Sequence, residues 1–172
     1  MIFKGFKEKS NNYYITSRLK KRVLEQSNTK IKCVGVIFNV EEIDDVPNFK
    51  ALAEALNTNK ENIETIAFKS KVKKNENVFN PTFTLRHLGW KGTIKNSALK
   101  QFLNKEFDLL ISYYKKDTTP LKLLTVASKS KFNVGILEAD ECINDLTIKT
   151  EIDDFKIFTS ELKKYLKILN KI

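Results

Sequence analysis

Residues 107–136 constrain the fold of this chain more than any other stretch. They begin with an apolar run at 107–113, which is too short for a typical helix and rich in strand-forming residues. Pro120 opens a helical pattern that continues to Ala127, and residues 132–136 form a second apolar run. A strand, a helix and a strand within about thirty residues are typical of a βαβ unit, whose parallel strands are covered on both faces.

The preceding residues show the same alternation of strands and helices. Residues 31–38 are apolar on both faces, which predicts a central strand. Ile63–Phe68 predicts a second strand, after a short amphipathic helix that follows Pro47. Residues 82–88 alternate between apolar and polar side chains. This alternation predicts a half-exposed strand that is either antiparallel or at the edge of the sheet.

The C-terminal part predicts one more strand and a long helix. Residues 144–148 form the short last strand, and an apolar stripe at three- and four-residue steps begins near Ile152. A broad stripe of this kind belongs against a face of the sheet, where each buried side chain contributes roughly 1.5–3 kcal/mol. The stripe consists of Phe155, Phe158, Leu162, Tyr165, Leu166, Leu169 and Ile172.

We therefore predict a single α/β domain over residues 1–172. It has three layers, with five or six strands in a mainly parallel, Rossmann-like sheet and helices on both faces. A chain of 172 residues suits one domain that buries roughly 70% of its unfolded surface. Residues 1–11 are expected to form an N-terminal arm, and the basic, asparagine-rich residues 69–81 a mobile loop.

Composition and motifs argue against several classes of protein. No apolar run approaches the ~20 residues of a membrane span, and the first seven residues lack the apolar core of a signal peptide. We therefore expect a cytoplasmic protein. Two cysteines are too few for a disulfide framework, and one histidine is too few for a typical zinc site. No glycine-rich phosphate loop follows a predicted strand, so we expect neither a metal nor a cofactor.

The net charge of +10 is concentrated in two blocks of the chain. Residues 1–30 hold eight basic and two acidic residues, and residues 69–100 hold eight basic residues and one acidic residue. Between them, residues 31–68 hold three basic and seven acidic residues. If the fold brings the two basic blocks together, they form one surface for phosphate groups. The alternative is a lysine- and asparagine-rich composition whose lysines only solvate the surface.

A basic helix and a basic loop supply the candidate anion-binding side chains. The helix predicted from Asn12 has a thin apolar stripe at Ile15, Leu19 and Val23 and a basic opposite face. Such a helix can lie on nucleic acid, on a membrane surface or against the domain itself. The candidate residues of the helix and of loop 69–81 are Arg18, Lys20, Lys21, Arg22, Lys69, Lys71, Lys73 and Lys74. Aromatic residues in the two blocks, which could stack on bases, are Tyr13, Tyr14, Phe79, Phe83 and Trp90.

A second kind of site is expected at the carboxyl ends of the strands. In a doubly wound sheet, ligands bind beyond these ends, where the strand order reverses. Asn39, Ser112 and Tyr113 are the polar residues that end otherwise apolar strands, which makes them the candidate ligand crevice. Ordinary strand termination explains the same residues. His87 has no partner that the sequence identifies, and no spacing pairs two acidic residues, so we assign no catalytic residue.

Several segments of the C-terminal two-fifths resemble a domain family of unknown function. That family consists of small bacterial proteins found mainly in the Bacteroidetes. The segments are 107–114 (FDLLISYY), 128–136 (SKSKFNVGI), 144–146 (NDL) and 161–166 (ELKKYL). Because the family has no assigned activity, the resemblance implies no function.

About thirty residues are also similar to heptosyltransferase-like glycosyltransferases. The segment FDLLI at 107–111, the helix after it and FNVGI at 132–136 are similar to the N-terminal βαβ unit of those enzymes. Those enzymes need two Rossmann-like domains with a sugar nucleotide between them, and this chain has room for one. The likeness therefore implies a Rossmann-like fold.

Two functions from different classes follow from these observations. The first is a non-catalytic cytoplasmic binding domain for an anionic partner such as RNA or a ribonucleoprotein, through the basic blocks. The second is a small-molecule or nucleotide-type ligand binder, or an enzyme, that uses the crevice at Asn39, Ser112 and Tyr113. A basic patch that is continuous in space favours the first, and a deep pocket with convergent polar groups at the strand ends favours the second.

Overall fold

A computed structural model describes residues 2–22, 29–73, 76, 79, 81–136 and 143–172, with side chains from residue 5 onward. Its strands are β1 (Val34–Asn39), β2 (Ile63–Phe68), β3 (Thr82–Phe83), β4 (Glu106–Tyr113), β5 (Lys129–Gly135) and β6 (Leu146–Thr147). Its helices are α1 (Ile2–Lys21), α2 (Leu52–Ala55), α3 (Ser97–Asn104), α4 (Thr119–Ala127) and α5 (Phe155–Ile168). Short 3-10 turns lie at Phe49–Ala51, Lys60–Asn62 and Leu85–His87.

The strands form one parallel sheet in the order β3-β2-β1-β4-β5-β6. The chain builds β1 to β3 toward one edge, returns to the centre and builds β4 to β6 toward the other edge. The strand order therefore reverses between β1 and β4, as in Rossmann-like folds. Within the described residues the predicted α/β class is confirmed, as are the parallel strands near residues 31–38, 107–113 and 132–136.

Helices cover both faces of the sheet and give it two hydrophobic cores. On one face, which we call the α5 face, α2 and α5 pack on one set of alternating strand residues, including Val36 and Phe38 of β1. On the opposite α1 face, helices α1, α3 and α4 pack on the other set, which includes Ile37. Gly35 also points to the α1 face, where an added β-carbon would lie 2.9 Å from the Phe107 ring. A side chain there would displace the ring.

The N-terminal region differs from its prediction. Helix α1 begins at Ile2 and includes most of the residues expected to form an arm. Contacts far along the chain explain the early start, since Ser10 and Asn11 bond to residues 89–92 and Glu8 to Thr119. Tertiary contacts of this kind override a weak local helix preference.

Three other elements are shorter than, or displaced from, their predicted bounds. The alternating residues 82–88 form only the two-residue parallel edge strand β3, followed by a 3-10 turn. Strand β5 begins at Lys129, three residues earlier than predicted. The buried stripe of α5 is narrower, because Tyr165 and Leu169 are exposed while Phe158, Leu162 and Leu166 are buried.

The predicted loop 69–81 is irregular where the structure describes it. Its residues 74, 75, 77, 78 and 80 lie outside the described residues. Glu76 accepts a hydrogen bond from the Lys69 ammonium group at 2.6 Å and from the Lys73 backbone at 2.9 Å. Among the described helices, none is both long and apolar enough to cross a membrane.

Candidate functional site

The predicted crevice residues lie at the carboxyl ends of β1 and β4, on either side of the point where the strand order reverses. Asn39 is the last residue of β1 and only 1% exposed. Its side-chain oxygen accepts a hydrogen bond from the Glu41 backbone at 3.1 Å, and its amide donates to Glu42 Oε1 at 2.5 Å. The Asn39 side chain therefore shapes the turn that follows β1.

Glu42 closes the crevice between β1 and β4. Its Oε2 atom accepts hydrogen bonds from the backbone N–H groups of Lys115 at 2.7 Å and Lys116 at 3.0 Å, in the loop after β4. Two backbone donors and the Asn39 amide thus surround one carboxylate, an arrangement that binds anions in many proteins. In this protein the anion in that position is the carboxylate of Glu42.

Ser112 and Tyr113 are buried within the two cores. The Ser112 hydroxyl lies 3.1 Å from the Thr125 hydroxyl of α4, which is 2.7 Å from the Tyr114 hydroxyl. On the other face, Tyr113 donates a hydrogen bond to the Ile152 carbonyl at 2.6 Å. Burial raises the pKa of both tyrosines above its usual range. The crevice candidates therefore lie at the predicted edge, but these two hydroxyls bind protein groups.

A pocket opens beside the closed crevice, and we call it the carboxyl-edge pocket. It has a volume of about 340 Å³ and lies over the ends of β1 and β2, next to the first turn of α4. Asn39 is the one predicted crevice residue that lines it. Sequence reasoning missed the others, because they come from five separate segments: Lys7, Glu8, Asn11, Glu41, Phe68, Ser70, Leu85, Leu88, Lys116, Thr118, Thr119 and Pro120.

The predicted anion-binding residues are divided between opposite edges of the sheet. Arg18, Lys20, Lys21 and Arg22 end helix α1, and Arg22 forms an ion pair with Asp145, just before β6. The end of α1 therefore lies at the amino edge of the sheet, the edge at which the strands begin. Residues 69–73 follow β2 at the carboxyl edge, where Lys71 and Lys73 are exposed and Lys69 pairs with Glu76. Lys74 lies outside the described residues.

The end of α1 borders a basic cleft of about 400 Å³, which we call the amino-edge cleft. Arg18, Lys21 and Arg22 line it together with Lys129 and Lys131, the latter from the start of β5. Arg22 pairs with Asp145 and Lys131 with Asp108. The side chains of Arg18, Lys21 and Lys129 have no ion-pair partner in the described part of the chain.

The two basic blocks do meet, through residues that the sequence did not single out. Residues 89–93 form a tight turn, with both Lys91 and Gly92 at positive φ. The Asn11 amide donates to the Gly89 carbonyl at 3.1 Å, and its oxygen accepts from the Gly92 N–H at 3.0 Å. Ser10 accepts from the Lys91 N–H at 3.0 Å. We call this junction the α1–turn platform.

The platform exposes aromatic side chains beside its lysines. Tyr13 is 78% exposed on α1, and Trp90 is 46% exposed on the turn. Tyr14 lies beneath the turn, where a β-carbon at Gly92 would be 2.6 Å from its ring. Phe83 is buried and Phe79 packs against the core of the α5 face. Of the five predicted stacking residues, the structure therefore leaves Tyr13 and Trp90 accessible.

Lysines near the platform repel one another. Partial burial and the nearby ammonium group of Lys95 both lower the pKa of Lys7. Lys9, Lys91 and Lys95 are exposed, and their side chains have no acidic partner within the described residues. An anion placed near Lys7 and Lys95 would relieve the repulsion between these two ammonium groups.

The single histidine has a structural contact. His87 Nδ1 accepts a hydrogen bond from the Thr84 N–H at 3.2 Å, which assigns its proton to Nε2. Burial, together with Arg86, lowers the pKa of His87 and so favours this neutral form. Among the described residues, no group of His, Cys, Asp and Glu could hold a metal ion.

Comparison with known proteins identifies a family and no activity. No curated protein and no solved structure matches the chain. The likeness to glycosyltransferases and the Bacteroidetes origin stay predictions. One family matches residues 7–169, from α1 to the end of α5, and thus nearly the whole chain. The resemblance to a family of unknown function is therefore confirmed, and the chain belongs to that family, DUF6913.

Proposed function

We propose that this protein binds single-stranded RNA, without chemical turnover, on the α1 face. One observation supports this more than any other: Ser10 and Asn11 join the turn at 89–93 to α1, so part of the second basic block lies against the helix of the first. The blocks are separated by the acidic residues 31–68 in the sequence, and the turn at 89–93 is the part of the second block that these contacts bring to α1. An RNA partner fits the cytoplasmic location expected from the sequence.

Lysines supply the attraction for the phosphates. Lys9, Lys91 and Lys95 have no acidic partner in the described part of the chain, so phosphates would not have to displace one. Lysine binds phosphate as a point charge, whereas arginine reads base edges with its planar group. A lysine-rich surface therefore predicts binding that tolerates any sequence and weakens steeply with salt.

Exposed rings supply contacts to the bases. Single-strand binding proteins stack bases on aromatic side chains, at about 1–3 kcal/mol per base. Trp90 lies between Gly89 and Lys91, whose backbone groups bond to α1, so its main chain is fixed without the ring being buried. Tyr13 is one helical turn from Ser10 and Lys9 on the exposed side of α1.

The amino-edge cleft extends the basic surface along the same helix. Helix α1 has 20 residues and is therefore about 30 Å long. Ser10 and Asn11 are near its middle, and Arg18 and Lys21 are at its end, facing Lys129 across the cleft. A strand that stacks on the platform can place later phosphates in this cleft.

Fluorescence anisotropy with a labelled single-stranded RNA of about ten nucleotides, within the usual site sizes, tests the proposal. Tyr13→Ala with Trp90→Ala should weaken binding about tenfold or more. Lys91→Glu with Lys95→Glu should weaken it at low salt and flatten its salt dependence. A matched control, Lys156→Glu with Lys167→Glu, makes the same charge change on exposed residues of α5.

Two results would contradict the proposal. One is the absence of binding by the wild-type protein at low salt. The other is equal weakening by the platform and control variants, which would show that only the net charge matters. The lysines would then serve solubility, the alternative that composition alone allows.

A further inference from the structure

The carboxyl-edge pocket has the size and position of a small-ligand site. Its volume of about 340 Å³ is at the lower end of the range of about 300–1,000 Å³ for such sites. It lies over the carboxyl ends of β1 and β2, one strand away from the reversal point at which ligands usually bind in this class of sheet. Glu42 explains this displacement, because its carboxylate occupies the crevice between β1 and β4.

The walls of the pocket are mainly apolar. Phe68 ends β2, Leu85 begins the 3-10 turn after β3, Leu88 follows that turn, and Pro120 lies in the first turn of α4. Leu88 and Phe68 are buried, whereas Leu85 is 36% exposed and lies at the opening. Such walls suit the flat faces of an aromatic ring.

Positive charge and helix donors lie on one side of this apolar space. The side chains of Lys7 and Lys116 line the pocket, as does the first turn of α4. The N-terminus of a helix attracts anions through its dipole and its free N–H groups. Thr118, the residue before α4, makes no capping bond, and its buried hydroxyl oxygen has no partner within the described residues.

The acidic side chains of the pocket are engaged by other groups. Glu41 accepts hydrogen bonds from the Ser70 backbone at 3.0 Å and from its hydroxyl at 2.6 Å. Glu8 contacts the Thr119 hydroxyl at 3.4 Å. The Glu42 carboxylate holds the Lys116 backbone in place at the rim. Glu8 and Glu41 keep their negative charges, but neither Lys7 nor Lys116 has an ion-pair partner in the described part of the chain, so both ammonium groups can contact an anion.

We propose that the carboxyl-edge pocket binds an aromatic ring that has one anionic group, in a molecule no larger than a mononucleotide. The ring lies against Phe68, Leu85 and Leu88, and the anion contacts Lys116, Lys7 and the first turn of α4. A nucleoside monophosphate and an aromatic carboxylate share this chemistry. Neither Tyr13 nor Trp90 lines the pocket, although Asn11 belongs both to its lining and to the α1–turn platform.

Isothermal titration calorimetry distinguishes these ligands. The probes are AMP, UMP and benzoate at millimolar concentrations, with adenosine and uridine as matched compounds that lack the anion. We expect either the nucleoside monophosphates or benzoate to bind with one-to-one stoichiometry. Lys116→Gln should lower the affinity for that probe about tenfold, the usual size of a charged contact. Leu85→Trp should abolish binding by placing a ring in the pocket.

Lys115→Gln is the matched control. Lys115 adjoins Lys116, but its ammonium group bonds to Glu151 at 2.8 Å and does not line the pocket. The site would be disproved if Lys115→Gln weakened binding as much as Lys116→Gln does. It would also be disproved if no probe bound saturably to the wild-type protein, or if a probe still bound to Leu85→Trp. Equal binding of AMP and adenosine would overturn the role of the anion. RNA binding by Leu85→Trp reports separately on the proposed function.

Discussion

Helices α5 and α1 cover opposite faces of the same sheet, yet different forces hold them in place. Phe158, Leu162 and Leu166 of α5 are fully buried against the core. Among the α1 side chains that the structure describes, those of residues 5–21, Ile15 is the one hydrophobic side chain that is buried. Helix α1 instead makes polar contacts to distant segments, through Asn11 to the turn at 89–93 and through Arg22 to Asp145.

This difference supports placing the proposed binding surface on the α1 face. An apolar stripe buried against the sheet fixes α5, whereas a few polar contacts fix α1 and leave most of its described side chains accessible. The exposed rings of Tyr13 and Trp90 lie on the α1 side together with Lys9, Lys91 and Lys95, whereas Tyr165 is exposed on α5. Exposed aromatic side chains that stability does not require are a usual mark of a binding surface.

The largest expected effect is on the α5 side. Leu162→Ala removes a fully buried side chain and leaves a cavity in the core, so the free energy of unfolding should fall by roughly 2–5 kcal/mol. RNA affinity of the remaining folded protein should not change. Denaturant unfolding and anisotropy on the same sample check both statements, and an unchanged midpoint would show that α5 is not docked.

A smaller loss of stability but a larger loss of binding is expected on the α1 side. Asn11→Ala leaves the Gly89 carbonyl and the Gly92 N–H without partners, which should cost about 1–3 kcal/mol. RNA binding should weaken because the turn that presents Trp90 is no longer fixed to α1. Ser10→Ala, which removes one exposed contact, is the control, at about 0.5 kcal/mol. Full RNA affinity in Asn11→Ala would disprove the platform.

The smallest effect concerns Asp108, which belongs to neither face and links three strands at the amino edge. Burial alone would raise the pKa of its carboxyl group, but hydrogen bonds from Lys131 and from the backbone of Cys33 and Lys32 outweigh burial and lower it. A lowered pKa in the folded state adds stability above the unfolded pKa of about 3.9, which is lost as pH falls through the folded value.

Asp108→Asn should therefore lower stability at neutral pH and give a shallower loss of stability in acid. Denaturant midpoints of wild type and variant at pH 7 and at about pH 3, below the ordinary pKa of Asp, measure the difference. Midpoints that differ by the same amount at both pH values would show that Asp108 does not act through its charge.

The fold could be predicted because the apolar pattern that identifies a buried strand lies within a few consecutive residues. A strand buried on both faces must be apolar along its whole length, and residues 31–38 and 107–113 show this without any knowledge of their neighbours. The alternation at residues 82–88 predicted a longer strand than the one observed. After β3 the chain forms a 3-10 turn instead, in which the Thr84 N–H donates a hydrogen bond to His87 Nδ1.

The site was less predictable because its contacts join segments far apart in the chain. Asn11 and Gly89 are 78 residues apart, and Glu42 and Lys115 are 73 apart. Residue type alone did not identify either contact. The crevice residues were placed at the correct edge, since strand ends are visible in sequence. Whether the hydroxyl groups of Ser112 and Tyr113 bind a ligand or the protein depends on the helices packed over them.

The same long separations have a consequence for the order of folding. Helix α1 is synthesised before the other described elements, but the turn that fixes it follows some eighty residues later, and Asp145 later still. Contacts between distant segments form slowly, since closing a long loop costs entropy before the contact is gained. We therefore expect α1 to dock after β1, β2 and β4 have paired. A nascent or partly folded chain would lack the platform, so only the completed domain would bind its partner there.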